Sequence, residues 1–170
     1  MKQIGNLKNV INEICLKLSQ DQKLIRLLVD DSLKLDSDLD FTSYSLENLL
    51  SQHYFCTYPI IETGINESTR NTFLVFKVAT VTFSEAGSQT TLNGNIYVTT
   101  DMNHHLLSNG KDRMLEICER ICLDLDTSKF TSASNFETTS ISDVIVGNDR
   151  AGYVIGFSCC DIRSESEILI

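Results

Sequence analysis

The residue types that could carry chemistry in this chain are three histidines and six cysteines. They are His53, His104, His105, Cys15, Cys56, Cys118, Cys122, Cys159 and Cys160. Zinc fingers and ribbons hold the metal through closely spaced pairs of ligands, and the spacing here does not match that pattern. Cys118 and Cys122 lie one helical turn apart on the apolar stripe of a predicted helix, where thiols behave as small hydrophobes. We therefore interpret this pair as core packing rather than as part of a zinc site, and we expect His104 and His105 in an exposed loop.

The adjacent Cys159 and Cys160 are the other candidates for thiol chemistry. Neighbouring residues of a strand point to opposite faces of a sheet, and a disulfide between them would strain the backbone. Structural thiols are again the favoured interpretation. A catalytic Cys–His–Asp set stays open as an alternative, since such residues come together only in the fold, although no neighbouring residue activates any one cysteine. The sequence therefore predicts no catalytic, metal-binding or cofactor-binding residues, and we do not expect an enzyme.

Aspartates and serines crowd residues 30–53, and the aspartates superficially resemble a calcium-binding loop. They are Asp30, Asp31, Asp36, Asp38 and Asp40. An EF-hand loop needs a central glycine and a closing glutamate at fixed positions, and Phe41 stands where the glycine would be. We therefore predict a solvated acidic loop. Glycine-rich phosphate loops, dinucleotide-binding fingerprints and zinc-protease motifs do not occur in the sequence.

The composition is that of one globular domain with an acidic surface. The 170 residues are 42% hydrophobic and 22% charged, and 23 Asp and Glu against 14 Lys and Arg give a formal net charge of -9. This balance argues against a nucleic-acid backbone or an anionic membrane as the main partner, because both attract clustered Lys and Arg. No signal-peptide core and no apolar run of about 18 residues is present. We expect free thiols in a reducing cytoplasm.

Apolar residues at helical spacing predict two main helices. The first stripe consists of Ile4, Leu7, Val10, Ile11, Ile14, Cys15 and Leu18, and the second, within residues 110–125, of Met114, Ile117, Cys118, Ile121, Cys122 and Leu125. A short helix through residues 24–28 follows the first, with Ser19 and Gln22 as its capping box. Ser108 or Asn109 is the expected N-cap of the second main helix.

Runs rich in β-branched and aromatic residues predict four main strands. They cover residues 73–83, 92–100, 141–146 and 153–162. The first two form a hairpin with a protruding loop at 84–91, and the last two flank a turn at 147–152. Residues 54–61 suggest a short edge strand around the only proline, preceded by a helical turn that Ser45 caps.

The element order α-α-β-β-α-β-β predicts an α+β fold. Two amphipathic helices and about four strands pack most simply as a two-layer sandwich, with a mainly antiparallel sheet and both main helices on one face. We predict a single domain over residues 1–162, with residues 30–53 as an acidic loop insertion and residues 163–170 as a C-terminal tail.

Taken together, this order resembles the tail-terminator, or neck, proteins of long-tailed bacteriophages. The resemblance covers roughly residues 7–162 and lies in the helix pair ending at 21–28, the strands 71–83 and 92–100, the turn and helix of 102–125 and the closing strand 152–157. It implies a homo-oligomeric ring, usually a hexamer, that caps the tail tube in the virion and joins it to the head connector after assembly in the host cytoplasm. The implied partners are further copies of the chain, the tail tube protein, head-connector or neck proteins and the sheath. The family has no catalytic residues to transfer.

The resemblance also implies roles for the loops and the tail. Residues 84–91 and 163–170 would be the arms that contact neighbouring subunits, while the acidic stretch 30–53 exceeds what the smallest members carry. A ring needs two different complementary patches on each subunit, and the hairpin and the edge near residues 54–61 are the expected halves. Two alternatives stay open: a head-completion or connector adaptor, and a ferredoxin-like regulatory domain that binds a small molecule near the 147–152 turn.

Overall fold

The structure, a computed structural model, describes residues 6–30, 44–57, 71–83, 90–145 and 150–160. The α-helices in these ranges are α1 (Asn6–Leu18), α2 (Gln22–Val29), α3 (Leu46–Ser51) and α4 (Arg113–Thr127). The strands are β1 (Phe55–Cys56), β2 (Thr72–Phe83), β3 (Thr90–Asp101), β4 (Ser134–Ile145) and β5 (Arg150–Cys160). A 3-10 turn, Met102–His104, follows β3.

The five strands form one sheet in the order β1-β2-β3-β5-β4. β1 pairs in parallel with β2 over two residues only, whereas every other neighbouring pair is antiparallel. β5 lies between β3 and β4 in the sheet, although it follows β4 in the chain. β4 is therefore connected to the other strands only through a strand that comes after it in sequence. Among the described strands, this crossover leaves β4 as one edge and β2, beyond its short contact with β1, as the other.

Helices cover one face of the sheet because alternate strand residues and the helix stripes form a single core. The buried strand side chains on this face include Leu74, Phe76, Leu92, Ile96, Val98, Ile155, Phe157 and Cys159. The stripes of α1 and α4 meet them: Val10, Ile14 and Leu18 are fully buried, as are Ile117, Cys118, Ile121 and Leu125. The predicted stripes are therefore confirmed where the structure describes them.

The opposite face of the sheet carries only a small apolar cluster at the β1–β2 end. Cys56, Phe73 and Val75 are buried there, with Tyr97 packed against them, and the Arg150 guanidinium lies 5.1 Å from the centre of the Phe73 ring. β2 therefore buries side chains on both of its faces, as its continuous apolar run predicted.

The α+β class is confirmed, but the element count is not. The sheet has five strands rather than four, and both α3 and β1 lie between α2 and β2. β4 begins at Ser134, well before the predicted residue 141, because the first half of this edge strand is polar and lacks the β-rich run that predicts the other strands. Two register shifts, between Ser134 and Glu137 and between Thr138 and Ser140, further disguise it.

Two of the three predicted helix caps were wrong. Asp21 rather than Ser19 caps α2, its side chain accepting from Lys23 N, and Asp112 caps α4. In both cases a carboxylate nearer the helix supplies the acceptor that the first backbone N–H groups lack. Ser45 does cap α3.

Several predicted segments lie outside the described residues. They are the tail at 163–170, most of the loop at 84–91, residues 31–43 of the acidic stretch, residues 58–61 of the predicted edge strand and residues 147–149 of the turn. Gly152 of that turn, by contrast, lies within β5.

A fully buried arginine joins two helices. Arg113, the first residue of α4, has no exposed surface; its Nε donates to Leu27 O at 2.6 Å and its Nη2 to Asp30 O at 3.0 Å. These carbonyls belong to the end of α2, where the last C=O groups have no partner within the helix and a cation is favoured. One guanidinium thus satisfies the end of α2 and fixes the start of α4.

Close packing in the middle of the sheet depends on Gly94. A Cβ at this position would overlap the ring of Phe157 on the neighbouring strand, with the Lys77 carbonyl 3.0 Å away on the other side. Phe157 in turn stacks on Phe136 of β4, their ring centres 5.3 Å apart. The absence of a side chain at Gly94 therefore lets the aromatic ring that contacts the edge strand lie flat across β3.

Replacement of the buried guanidinium tests its role. We expect Arg113→Met to destabilise the fold by about 2–4 kcal/mol, because the carbonyls of α2 lose charge-assisted hydrogen bonds inside the core. The free energy of unfolding from urea titration measures this. Lys8→Met, a change at an exposed position of α1, is the control and should stay within about 0.5 kcal/mol of the wild type. An Arg113→Met variant as stable as this control would contradict the assigned role.

Candidate interaction surface

The cysteines are core residues in the described structure. Cys15, Cys118 and Cys159 are buried, and burial raises the pKa of each thiol to about 12. Burial also raises the pKa of the half-buried Cys122. Because the thiolate is the reactive form, burial disfavours reactivity at these four thiols, and the predicted core packing of Cys118 and Cys122 is confirmed.

Cys159 and Cys160 point to opposite faces of the sheet, as expected from their adjacency in a strand. Cys159 lies in the main core, whereas the Cys160 Sγ lies 3.6 Å from the Thr91 hydroxyl. All six cysteines are free thiols.

The histidines lie in two turns. His53 is exposed and adopts a positive φ of 61° after α3. His104 and His105 were expected to be exposed, but both are half-buried in the 3-10 turn and the residue after it. The Nδ1 of His104 lies 3.7 Å from the Asp101 carboxylate, and the Nδ1 of His105 contacts the Met102 carbonyl.

Among the described residues, no three His, Cys, Asp or Glu side chains are grouped so that they could hold a metal ion.

Of the acidic stretch, Asp30 can be placed directly. It ends α2, its backbone N–H donating to Arg26 O, and its carbonyl accepts from Arg113. The backbone of Asp30 therefore forms hydrogen bonds at the end of α2, and this aspartate is not part of a solvated loop.

A polar cluster that sequence analysis did not find joins α2 to α4. The cap residue Asp21 accepts from Arg120 through Nε and Nη2, both at 2.6 Å, and Asp124 lies 3.9 Å from the same guanidinium. Burial, together with a hydrogen bond to Asp21 and repulsion from it, raises the pKa of Asp124 to about 6. An open cleft of about 360 Å³ borders this cluster.

A second carboxylate fixes the segment before β4. Glu13 of α1 accepts four hydrogen bonds, from the backbone N–H and hydroxyl of both Thr131 and Ser132, at 2.5 to 3.2 Å. Burial alone would raise the pKa of Glu13, but the hydrogen bonds outweigh it and hold the pKa below its usual range. The same pattern recurs at the end of α4, where Asp126 accepts from Thr138 N at 2.9 Å and from its hydroxyl at 2.8 Å. Carboxylates of α1 and α4 therefore fix the position of the segment before β4 and of the first half of β4.

The outer edge of β4 is an open surface that these contacts position. β4 has 12 residues and pairs only with β5 among the described strands. Exposed side chains run along it: Glu137, Thr139, Ser140, Ile141, Ser142 and Asp143. An edge strand presents unpaired N–H and C=O groups that can pair with another chain.

The other edge of the sheet differs in chemistry. β1 covers β2 only at Leu74 and Val75, and within the described residues no strand pairs with the outer side of β2 from residue 76 to 83. Lys77, Ala79, Thr80 and Thr82 are exposed along this part. Lys77 is the only charged residue of β2, whereas β4 carries Glu137 and Asp143 and no base. The two edges therefore have opposite charge.

Titration of Asp124 provides a test of the α2–α4 cluster. Its pKa of about 6 in the fold exceeds its ordinary 3.8, so the folded state binds the proton more tightly, and stability should fall as pH rises from about 4 to 6. Asp124→Asn should remove this loss and stabilise the protein at pH 7 by about 1 kcal/mol, a value discounted for solvent screening because 20% of the side chain is exposed.

Urea titrations at pH 4 and pH 7 measure the effect. Glu119→Gln, at an exposed position of the same helix, is the matched control and should keep the wild-type pH dependence. Equal pH dependence in Asp124→Asn and the wild type would show that Asp124 is not the group responsible.

None of the described helices is both long and apolar enough to cross a membrane. No protein-family model matches the chain, and no curated protein matches it either.

Proposed function

We propose that this chain is a structural virion protein that resembles the tail terminators of long-tailed bacteriophages. In this proposal it forms a homo-oligomeric ring that caps the tail tube and joins it to the head connector, and it has no enzymatic activity. The observation that carries the proposal is the pair of long, open sheet edges with opposite charge on one subunit. A ring subunit needs two different patches that fit each other.

The interior supports a building block more than a catalyst. The thiols of Cys15, Cys118 and Cys159 have pKa values raised by burial, and the carboxylates of Glu13 and Asp126 hold backbone segments rather than a substrate. The polar groups thus fasten helices to strands. Such fastening suits a subunit whose edges must keep their shape during assembly.

The proposed partners follow from the ring and from the charge. They are neighbouring copies, the tail tube protein, head-connector or neck proteins and the sheath. The net charge of -9 favours basic protein surfaces and disfavours sequence-specific binding of nucleic acid. A head-completion or connector adaptor would use similar contacts at another position in the virion, and the location of its density in a virion map separates the two.

A second candidate function is a module that binds a small molecule. The observation that favours it is the cleft at the α2–α4 cluster, where Lys17 and Arg120 accompany Asp21 and Asp124. A charged metabolite that raises the midpoint of thermal unfolding, and no longer does so in Arg120→Ala, would support this function. Without such a ligand, the ring remains the better supported function.

Mass in solution tests the ring. We expect native mass spectrometry and light scattering to show a closed oligomer of the 19.1 kDa chain, with six copies the expected number, either alone or on purified tail tubes. Electron microscopy of the tubes should then show one ring at one end, with no further growth there. A chain that stays monomeric at high concentration, both with and without tail tubes, would contradict the proposal.

A further inference from the structure

We infer that β4 of one copy pairs with the outer edge of β2 of the next copy, in antiparallel register, so that the sheet continues from subunit to subunit. This inference rests on the proposed ring and names the strands that build it. The β4 edge of one copy therefore binds a second copy of this chain. The second copy pairs through the part of its β2 that does not pair with β1.

Strand direction favours this pairing. The four long strands β2, β3, β5 and β4 alternate in direction across the sheet, so the two edge strands run in opposite directions. When a copy is related by a rotation about an axis along the strands, its β2 meets β4 of the first copy antiparallel. The contact thus repeats the hydrogen-bond pattern of the sheet interior.

Length also fits. Residues 76–83 of β2 lie beyond the contact with β1. The part of β4 that pairs regularly with β5 covers residues 140–145. Both open stretches are of the usual length of a strand in a globular protein, about five to six residues or more. The open stretch of β2 contains one register shift, between Val78 and Thr80, and β4 has one directly before Ser140.

Charge distinguishes this pairing from a symmetric one. β4 carries the acids Glu137 and Asp143, and β2 carries the base Lys77. Glu137 and Asp143 lie on opposite faces of the sheet, because their partners in β5, Ser158 and Tyr153, are five positions apart. A β4–β4 pair would therefore bring acids and no base to either face of the contact, and like charges in neighbouring positions are destabilising. A β4–β2 contact brings opposite charges together, so the same side chains that deter the symmetric pair favour the heterologous one.

Charge reversal tests the inference. Lys77→Glu alone, and Glu137→Lys with Asp143→Lys, should each weaken assembly by about tenfold or more, because each puts like charges along the contact. The triple variant, which reverses both edges, should recover assembly to within about threefold of the wild type. Lys129→Glu and Glu119→Lys, at exposed positions away from both edges, are the matched controls.

The readout is the concentration at which half of the chain is assembled, measured by light scattering, with circular dichroism to verify that each variant folds. Neutral changes, Glu137→Gln with Asp143→Asn, cover the case in which a reversal unfolds β4, and they should weaken assembly less than the reversal.

Amide hydrogen exchange adds a backbone measurement, since the outward N–H groups of β4 should exchange slowly only in the oligomer.

The outcomes separate the inference from the proposed function. Wild-type rings that persist unchanged in both edge reversals would overturn the β4–β2 contact and leave the ring function standing. A wild-type chain that is monomeric with and without tail tubes overturns both. Rings that fail in each reversal and return in the triple variant support the contact.

Discussion

Polar contacts at both ends of α4 determine where this helix lies, and the helix determines what the sheet can bury. At its start the Arg113 guanidinium binds the last carbonyls of α2, and near its end Asp126 accepts from Thr138 of β4. Between them Arg120 binds the cap of α2. The apolar stripe of α4 therefore meets the strands in one register, and the core closes around it.

The long periodic elements were predictable from sequence because a helix stripe or a β-rich run repeats over many residues. The stripes of α1 and α4 and the strands β2, β3 and β5 were found in this way. β1 and α3 are too short to show a period, and the proline and the Ser45 cap indicated them instead. The first half of β4 is polar and was not predicted as a strand. Sequence analysis also assigned no place to Arg113, since nothing in the linear chain brings an arginine to carbonyls more than 80 residues away.

The candidate surface was less predictable than the fold. An edge is defined by strand order, and the insertion of β5 between β3 and β4 cannot be read from local pattern. The hairpin and the neighbourhood of residues 54–61 were the expected contact regions, and β2 and β1 do lie at that side of the sheet. The opposite edge, β4, was only half recognised as a strand. Its acids, Glu137 and Asp143, are placed on an edge of the sheet only by the strand order.

The position of β5 has a consequence for how the chain folds. β4 and β5 are joined by a short connection, so their ladder can form locally, but β3 and β5 pair residues as far apart as Thr91 and Cys160, 69 positions along the chain. Closing so long a loop costs entropy before the contacts repay it. During synthesis, β4 leaves the ribosome before its partner β5 does. The chain thus carries an unpaired strand until its last described element is complete, and aggregation at this stage competes with folding.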